Sequence, residues 1–292
     1  MKKKIFISGA YGLLGTTLCR KLNEKNYKIF RHGTKRKRQY NFKLTNIKIL
    51  KKKLSKIKPD IIINLLALTN VNECESDLKK AYNLNIKSLK NLHQYARNSK
   101  NNCRLINIST DQVYFGQGPH KENYVNPINN YGLTKLIGEL IIFDRDVLIL
   151  RTNFVGKSEN IFRKSLSDWF IESLKNKKKL NLFNNIYFNP LEINYLTDLI
   201  IKIMHKKLGG IFNLGSKTSL SKANFLIKIA KKLKLDTKYC IIGKFKHSKK
   251  EARRPENMVM DCKKFEKTFK INLPTIENQI EKICESYTRV NK

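Results

Sequence analysis

Acidic residues are scarce in this chain. Its 292 residues hold 23 Asp and Glu against 60 Lys and Arg, a formal net charge of +37. Such a balance suits nucleic acid, a membrane surface or an anionic ligand. The basic residues run along the whole length instead of gathering in one tail. Spread in this way they read as a solvated face, and no nucleic-acid partner is expected. Histidine is also sparse, at five, and none of the six cysteines forms a CxxC pair. That excludes the usual zinc spacings and a disulfide framework, so no metal site is expected. Free thiols fit a reducing compartment, and the protein is expected to be cytoplasmic. No apolar run reaches the length of about 18 residues that would span a membrane. The start, MKKKIFISGAYGLLG, is basic, but Gly and Tyr break its apolar run, which makes a poor signal peptide.

What is present is a full complement of core residues, at 41% hydrophobic. KKIFISGA, YKIFRHG, PDIIINLLAL, CRLINIST and DVLILRTNFVG read as short buried strands. Between them lie amphipathic segments: one after the first strand, one over residues 46–57, a long one in ESDLKKAYNLNIKSLKNLHQYARNS, and NNYGLTKLIGELIIF. Strands alternating with helices predict an α/β fold, a doubly wound parallel sheet of the Rossmann type. Residues 1–155 are expected to form that domain, with later segments able to return to it. Residues 156–292 follow a less regular pattern and are expected to form mainly a smaller, mixed lobe.

GAYGLLG places Gly9, Gly12 and Gly15 between the first strand and the first helix. Glycines there allow a tight turn and a close approach of backbone to a pyrophosphate, while the helix N-terminus offers free N–H groups. Dinucleotide folds commonly carry an acid at the end of the second strand, where it holds the adenine ribose. Here that strand runs into IFRHGTKRKR, with Arg31, Lys35 and Arg36 and no acid. Arginine at this place suits a 2′-phosphate, so NADPH is favoured, with NADH as the alternative.

Strand four ends in Ser109, Thr110 and Asp111. Ligands of such sheets lie outside the carboxyl ends of the strands. The following helix carries Tyr131 and Lys135, four positions apart and on one face. Reduction of a ketone needs a hydride and a proton. Tyr131 can give the proton, Lys135 can draw its pKa down from about 10, and Thr110 can orient the carbonyl oxygen.

Together these residues resemble the extended short-chain dehydrogenase/reductases and, within them, the dTDP-4-dehydrorhamnose reductase family. The motifs that carry the likeness are GAYGLLG, INLLALTNVNECES, NLN at 83–85, NISTDQVYFG, NPINNYGLTKLIGE, LRTNFVG and RRPENMVMD. The resemblance implies NADPH-dependent reduction of a nucleotide-diphospho-4-keto-6-deoxy sugar, in nucleotide-sugar biosynthesis for a surface polysaccharide. It implies catalytic roles for Thr110, Tyr131 and Lys135. Cofactor contacts would come from Gly9, Tyr11, Gly12, Leu13, Leu14 and Gly15, from Leu66, Ala67 and Leu68 after strand three, from Asn85, and from Tyr131 and Lys135. Substrate contacts would come from Thr110, Asp111, Asn153, Phe154, Asn160 and Arg254. A homodimer fits the same resemblance. The alternatives are a nucleotide-sugar epimerase or dehydratase, which recycles a tightly held NAD, and a non-catalytic nucleotide-binding regulatory subunit.

Overall fold

A computed structural model describes residues 2–33, 39–160, 162–248 and 251–288. The strands are β1 (Lys4–Ser8), β2 (Lys28–His32), β3 (Ile61–Asn64), β4 (Arg104–Thr110), β5 (Leu148–Thr152), β6 (Phe154–Val155), β7 (Leu180–Phe183), β8 (Tyr187–Phe188), β9 (Leu191–Glu192), β10 (Gly210–Leu214), β11 (Leu220–Ser221) and β12 (Cys240–Gly243). The helices are α1 (Leu13–Glu24), α2 (Ile47–Ile57), α3 (Val71–Ser76), α4 (Leu78–Ala81), α5 (Ser88–Arg97), α6 (Asn130–Ile141), α7 (Leu166–Lys175), α8 (Ile193–Ile203), α9 (Lys222–Lys232), α10 (Lys263–Phe269) and α11 (Ile276–Thr288). None of the described helices is long and apolar enough to cross a membrane.

Six strands form one parallel sheet in the order β10-β5-β4-β3-β1-β2. Alternate residues of each strand face opposite sides, and both sides are apolar. Ile5, Ile7, Ile61, Ile63, Ile106, Ile108, Leu148 and Leu150 belong to one core cluster. Phe6, Ile62, Leu105 and Ile149 belong to the other. This is why the strands read as unbroken hydrophobic runs: helices cover both faces. The strand order reverses between β1 and β3, which opens a crevice at their carboxyl ends.

The later part of the chain divides. Strand β10 completes the sheet, and α8 and α10 bury Leu196, Ile200, Phe265 and Phe269 against the same core as β1. A separate core, with Phe170, Phe188, Phe225, Ile229 and Ile280, holds α7, α9, α11 and the short strands together. The long helix expected over ESDLKKAYNLNIKSLKNLHQYARNS is interrupted. Asp77 caps a new start by accepting from Lys80 N, and Tyr82–Lys87 winds as a π-helical turn before α5. Such turns cluster at functional sites, and this one contains Asn85.

Helix α6 is tied to the sheet by a buried ion pair. The Arg151 guanidinium on β5 donates to both Glu139 oxygens, the Nη2 bond to Oε2 being 2.6 Å long. It also donates to Tyr114 Oη at 2.8 Å and to the Glu122 carbonyl at 2.7 Å. Ser109 on β4 donates to the same Glu139 carboxylate. Tyr114 passes the chain of bonds on to Asn213 of β10 at 2.6 Å. Both charged residues are essentially buried, at 1% and 0% exposure. Removing one partner strands a buried charge. Arg151→Met is expected to lower the unfolding free energy by about 3–5 kcal/mol in a urea titration. A loss below about 1 kcal/mol would show that the pair is not what anchors α6.

Candidate functional site

The glycine turn is tight and leaves its backbone open. Gly9 adopts a left-handed φ of +74°, and a Cβ there would meet the Leu65 carbonyl carbon at 2.8 Å. Gly15 lets α1 sit on the turn, since its Cβ would lie 2.5 Å from the Gly9 oxygen. Gly12 differs: a Cβ there would find only the Gly9 oxygen, at 3.3 Å, within 4 Å. Gly12 is also the N-cap of α1 and supplies no capping side chain, and the first turn carries no acid. The first N–H groups of α1 therefore keep their affinity for an anion beside an open backbone cradle.

The expected neighbours contribute unequally. Leu14 lies in the core, so only its backbone serves the cradle, while Tyr11 and Leu13 are half-buried beside it. After β3, Leu65 and Leu66 pack on the two cores, leaving backbone at the crevice, and Ala67 is half-buried. Leu68 is buried against Tyr131. Asn85 clamps this segment. Its Oδ1 accepts from Leu68 N at 2.7 Å, and its Nδ2 donates to Leu68 O at 3.3 Å and to Thr134 Oγ1 at 3.0 Å. Arg31 is exposed and lines a cleft of about 330 Å³ with Tyr11, Thr16, Arg20, Gln39 and Glu159. Lys35 and Arg36 lie outside the described residues.

Thr110, Tyr131 and Lys135 come together at the end of β4. Asn129 caps α6 by accepting from Gly132 N at 2.8 Å, and Glu75 accepts from the Asn130 backbone N at 2.7 Å. These bonds fix the first turn of α6, which presents a buried Tyr131 phenol to the Thr110 hydroxyl. Burial pushes the Tyr131 pKa up, the Thr110 hydrogen bond opposes this, and the Asp111 carboxylate adds to it. Lys135 is buried too, and its ammonium donates to the Ile108 carbonyl at 2.8 Å. Burial pulls Lys135 down to about 8, against the Glu139 carboxylate one turn further on. The expectation that Lys135 draws Tyr131 toward neutrality is therefore corrected. The ammonium is committed to Ile108, and desolvation dominates the phenol.

Asp111 lies beside Thr110, and burial pushes it up to about 6 although Asn153, Lys222 and Thr110 favour its ionised form. Asn153 Nδ2 donates to it at 2.5 Å. Phe154 is half-buried in β6, paired with Leu191. Arg254 is half-buried, and its Nε has no hydrogen-bond partner. Asn160, an expected substrate contact, makes two bonds within the protein. Its Nδ2 donates to Tyr11 O at 2.6 Å and its Oδ1 accepts from Phe162 N at 2.9 Å, so it links Phe162 to the glycine turn. Sequence reasoning missed Glu139 and Arg151, although Glu139 follows Lys135 by one helical turn. It also missed Lys222, which no spacing marks.

The two glycines separate fold from binding. Gly15→Ala should destabilise the protein, because its Cβ collides with backbone. Gly12→Val should melt near the wild type yet fail to bind a dinucleotide in a fluorescence titration. A folded Gly12→Val protein that binds NADPH normally would place the phosphates elsewhere.

The family model for the RmlD substrate binding domain matches residues 2–289. The chain is 26% identical to the spore coat polysaccharide biosynthesis protein SpsK of Bacillus subtilis, over 80% of this chain and 81% of that one. It is 28% identical to dTDP-4-dehydrorhamnose reductase of Salmonella typhimurium, over 84% and 85% respectively. The crystal structure of dTDP-4-dehydrorhamnose reductase from Bacillus anthracis in complex with NADP superposes with a TM-score of 0.87, at 25% identity, covering 97% of this chain and 99% of that one. With the model spanning nearly the whole length, and the glycine cradle and the Thr-Tyr-Lys constellation in place, the chain belongs to the RmlD substrate binding domain family.

Proposed function

We propose that this protein is an NADPH-dependent reductase of a nucleotide-diphospho-4-keto-6-deoxy sugar, working in the biosynthesis of a surface polysaccharide. The observation that carries the reading is the convergence of Thr110, Tyr131 and Lys135 at the end of β4, beside an open phosphate cradle. The reductase of Salmonella typhimurium and the NADP-bound structure from Bacillus anthracis support the activity and the cofactor, and SpsK supports the polysaccharide setting. Six free cysteines suit a cytoplasmic enzyme. A homodimer belongs to the same reading.

NADPH, held by the Gly9–Gly15 turn and the N-terminus of α1, supplies the hydride. The absence of an acid at the end of β2, with Arg31 exposed there, suits the added phosphate of NADPH. Thr110 donates a hydrogen bond to the keto oxygen and orients it. Tyr131 gives that oxygen its proton. A phenol whose pKa is raised by burial is fully protonated at neutral pH, which is the form a general acid requires. Lys135 stabilises the phenolate left behind and relays a proton back to it.

The activity test is to incubate the protein with nucleotide-4-keto sugars and NADPH and to follow the absorbance. Stoichiometric consumption of NADPH is expected. An epimerase or dehydratase would convert the sugar with no net consumption. Tyr131→Phe removes only the hydroxyl and should cut turnover by about 10²–10⁴-fold while NADPH still binds. Thr110→Val should lose less, since it removes an orienting bond and not the proton source. Tyr131→Phe at nearly the wild-type rate would refute the mechanism.

A pH profile tests Lys135 separately. Its pKa is lowered in the folded protein, so the cation is present below about 8 and is lost as the pH rises through that value. Turnover should fall over the same range. Lys135→Met should be slow at every pH, with that basic limb absent.

A further inference from the structure

The site contains a second cation that no sequence motif marks. Lys222 opens α9 directly after β11, and its backbone N donates to Ile186 O at 2.8 Å beside β8. Strand β8 pairs with β11, placing Ser221 opposite Tyr187. The 254–258 loop runs along the other side of β8. Tyr187 N donates to Glu256 O at 2.6 Å, and Met258 N donates to Tyr187 O at 2.9 Å. The same loop is tied to the catalytic helix, where Asn129, the cap of α6, donates to Arg253 O at 2.9 Å. Lys222 and Arg254 are thus carried by two segments stitched to one strand, the second of them also tied to the cap of α6.

Among the described residues neither cation forms an ion pair. Among the described residues the Lys222 ammonium makes no hydrogen bond or ion pair, and it lies 5.9 Å from the Phe188 ring centroid. The buried Arg254 Nε has no partner. The carboxylate that faces Lys222 is Asp111, which is already bonded to Asn153. Arg254 works against the Lys222 charge, and burial works against it further. Two half-buried cations lie near each other, an arrangement that leaves net positive charge in a weakly solvated place. An anion of higher charge would relieve both desolvation and mutual repulsion.

We propose that Lys222 is a substrate-contacting residue that joins Arg254 in holding the diphosphate of the nucleotide sugar. This rests on the reductase reading above. Lys222 stands between the diphosphate and Asp111, so it also shields the substrate's negative charge from that carboxylate.

The test is calorimetric titration of dTDP, and separately of NADPH, into wild type, Lys222→Met and Lys222→Arg. A charge-assisted contact to a phosphate is worth enough that Lys222→Met should bind dTDP roughly 10–100-fold more weakly. Lys222→Arg should recover most of that loss. NADPH affinity should stay unchanged in both variants, which also certifies the fold. If wild type binds dTDP and Lys222→Met binds it equally well, the inference is overturned while the reductase reading stands. If wild type binds NADPH but no dTDP, both fall together.

Discussion

The buried pairing of Arg151 with Glu139 is the constraint on which the site's geometry depends. Taking two charges out of water costs several kcal/mol per ion, and the attraction between them returns that only when the remaining donors and acceptors are satisfied. Here Ser109, Tyr114 and the Glu122 carbonyl take up what the ion pair leaves over. The network spans α6, β4, β5 and β10, the four elements around the carboxyl end of β4. Its location explains why a strand from far along the chain, β10, matters to a helix near the middle. Asn213 on β10 holds Tyr114 Oη, which in turn holds Arg151. Lys135 sits one turn before Glu139, so the carboxylate that anchors the helix also supports the lysine charge.

The scarcity of acids gives this arrangement its meaning. With 23 acidic residues in 292, burying any of them is a large commitment. Glu139, Asp111 and Glu192 are nonetheless buried. Glu192 caps α8 through Tyr195 N at 2.8 Å, and Asp111 faces Tyr131. Surface pairs such as Arg20–Glu24 and Lys232–Glu281 contribute about 0–1 kcal/mol each, so the abundant lysines do little to hold the fold. The excess charge is spread over the surface, and the acids that matter are inside.

The fold was legible in the chain because both faces of the sheet are covered, which makes each strand a continuous apolar run. The glycine turn was legible because its spacing marks a tight strand-to-helix turn, and Tyr131 and Lys135 because helical spacing puts them on one face. Asn85 was placed by resemblance, but its task was not visible. Within a π-helical turn its amide reaches back to Leu68, a contact that regular helical spacing does not anticipate. Asn160 likewise has a bond that its place in a loop does not announce, to the Tyr11 carbonyl. Lys222 was hidden by composition, since one lysine among so many carries no signal until its surroundings are known.

The Tyr–Lys spacing also acquires a different sense in three dimensions. Read along the chain, the ammonium serves to lower the phenol's pKa. In the structure the phenol is buried, bonded by Thr110 and faced by Asp111, so its proton is held firmly. The ammonium points to Ile108, where β4 holds it in reserve. A general acid needs its proton before the transfer, and a cation close to a buried phenol would strip that proton early. In the proposed reduction, holding Lys135 on a carbonyl would leave Tyr131 with its proton until the keto oxygen is basic enough to take it. On that proposal the lysine's contribution would fall on the phenolate, after the transfer, when a nearby cation with a pKa about 8 could both stabilise the anion and return a proton to it.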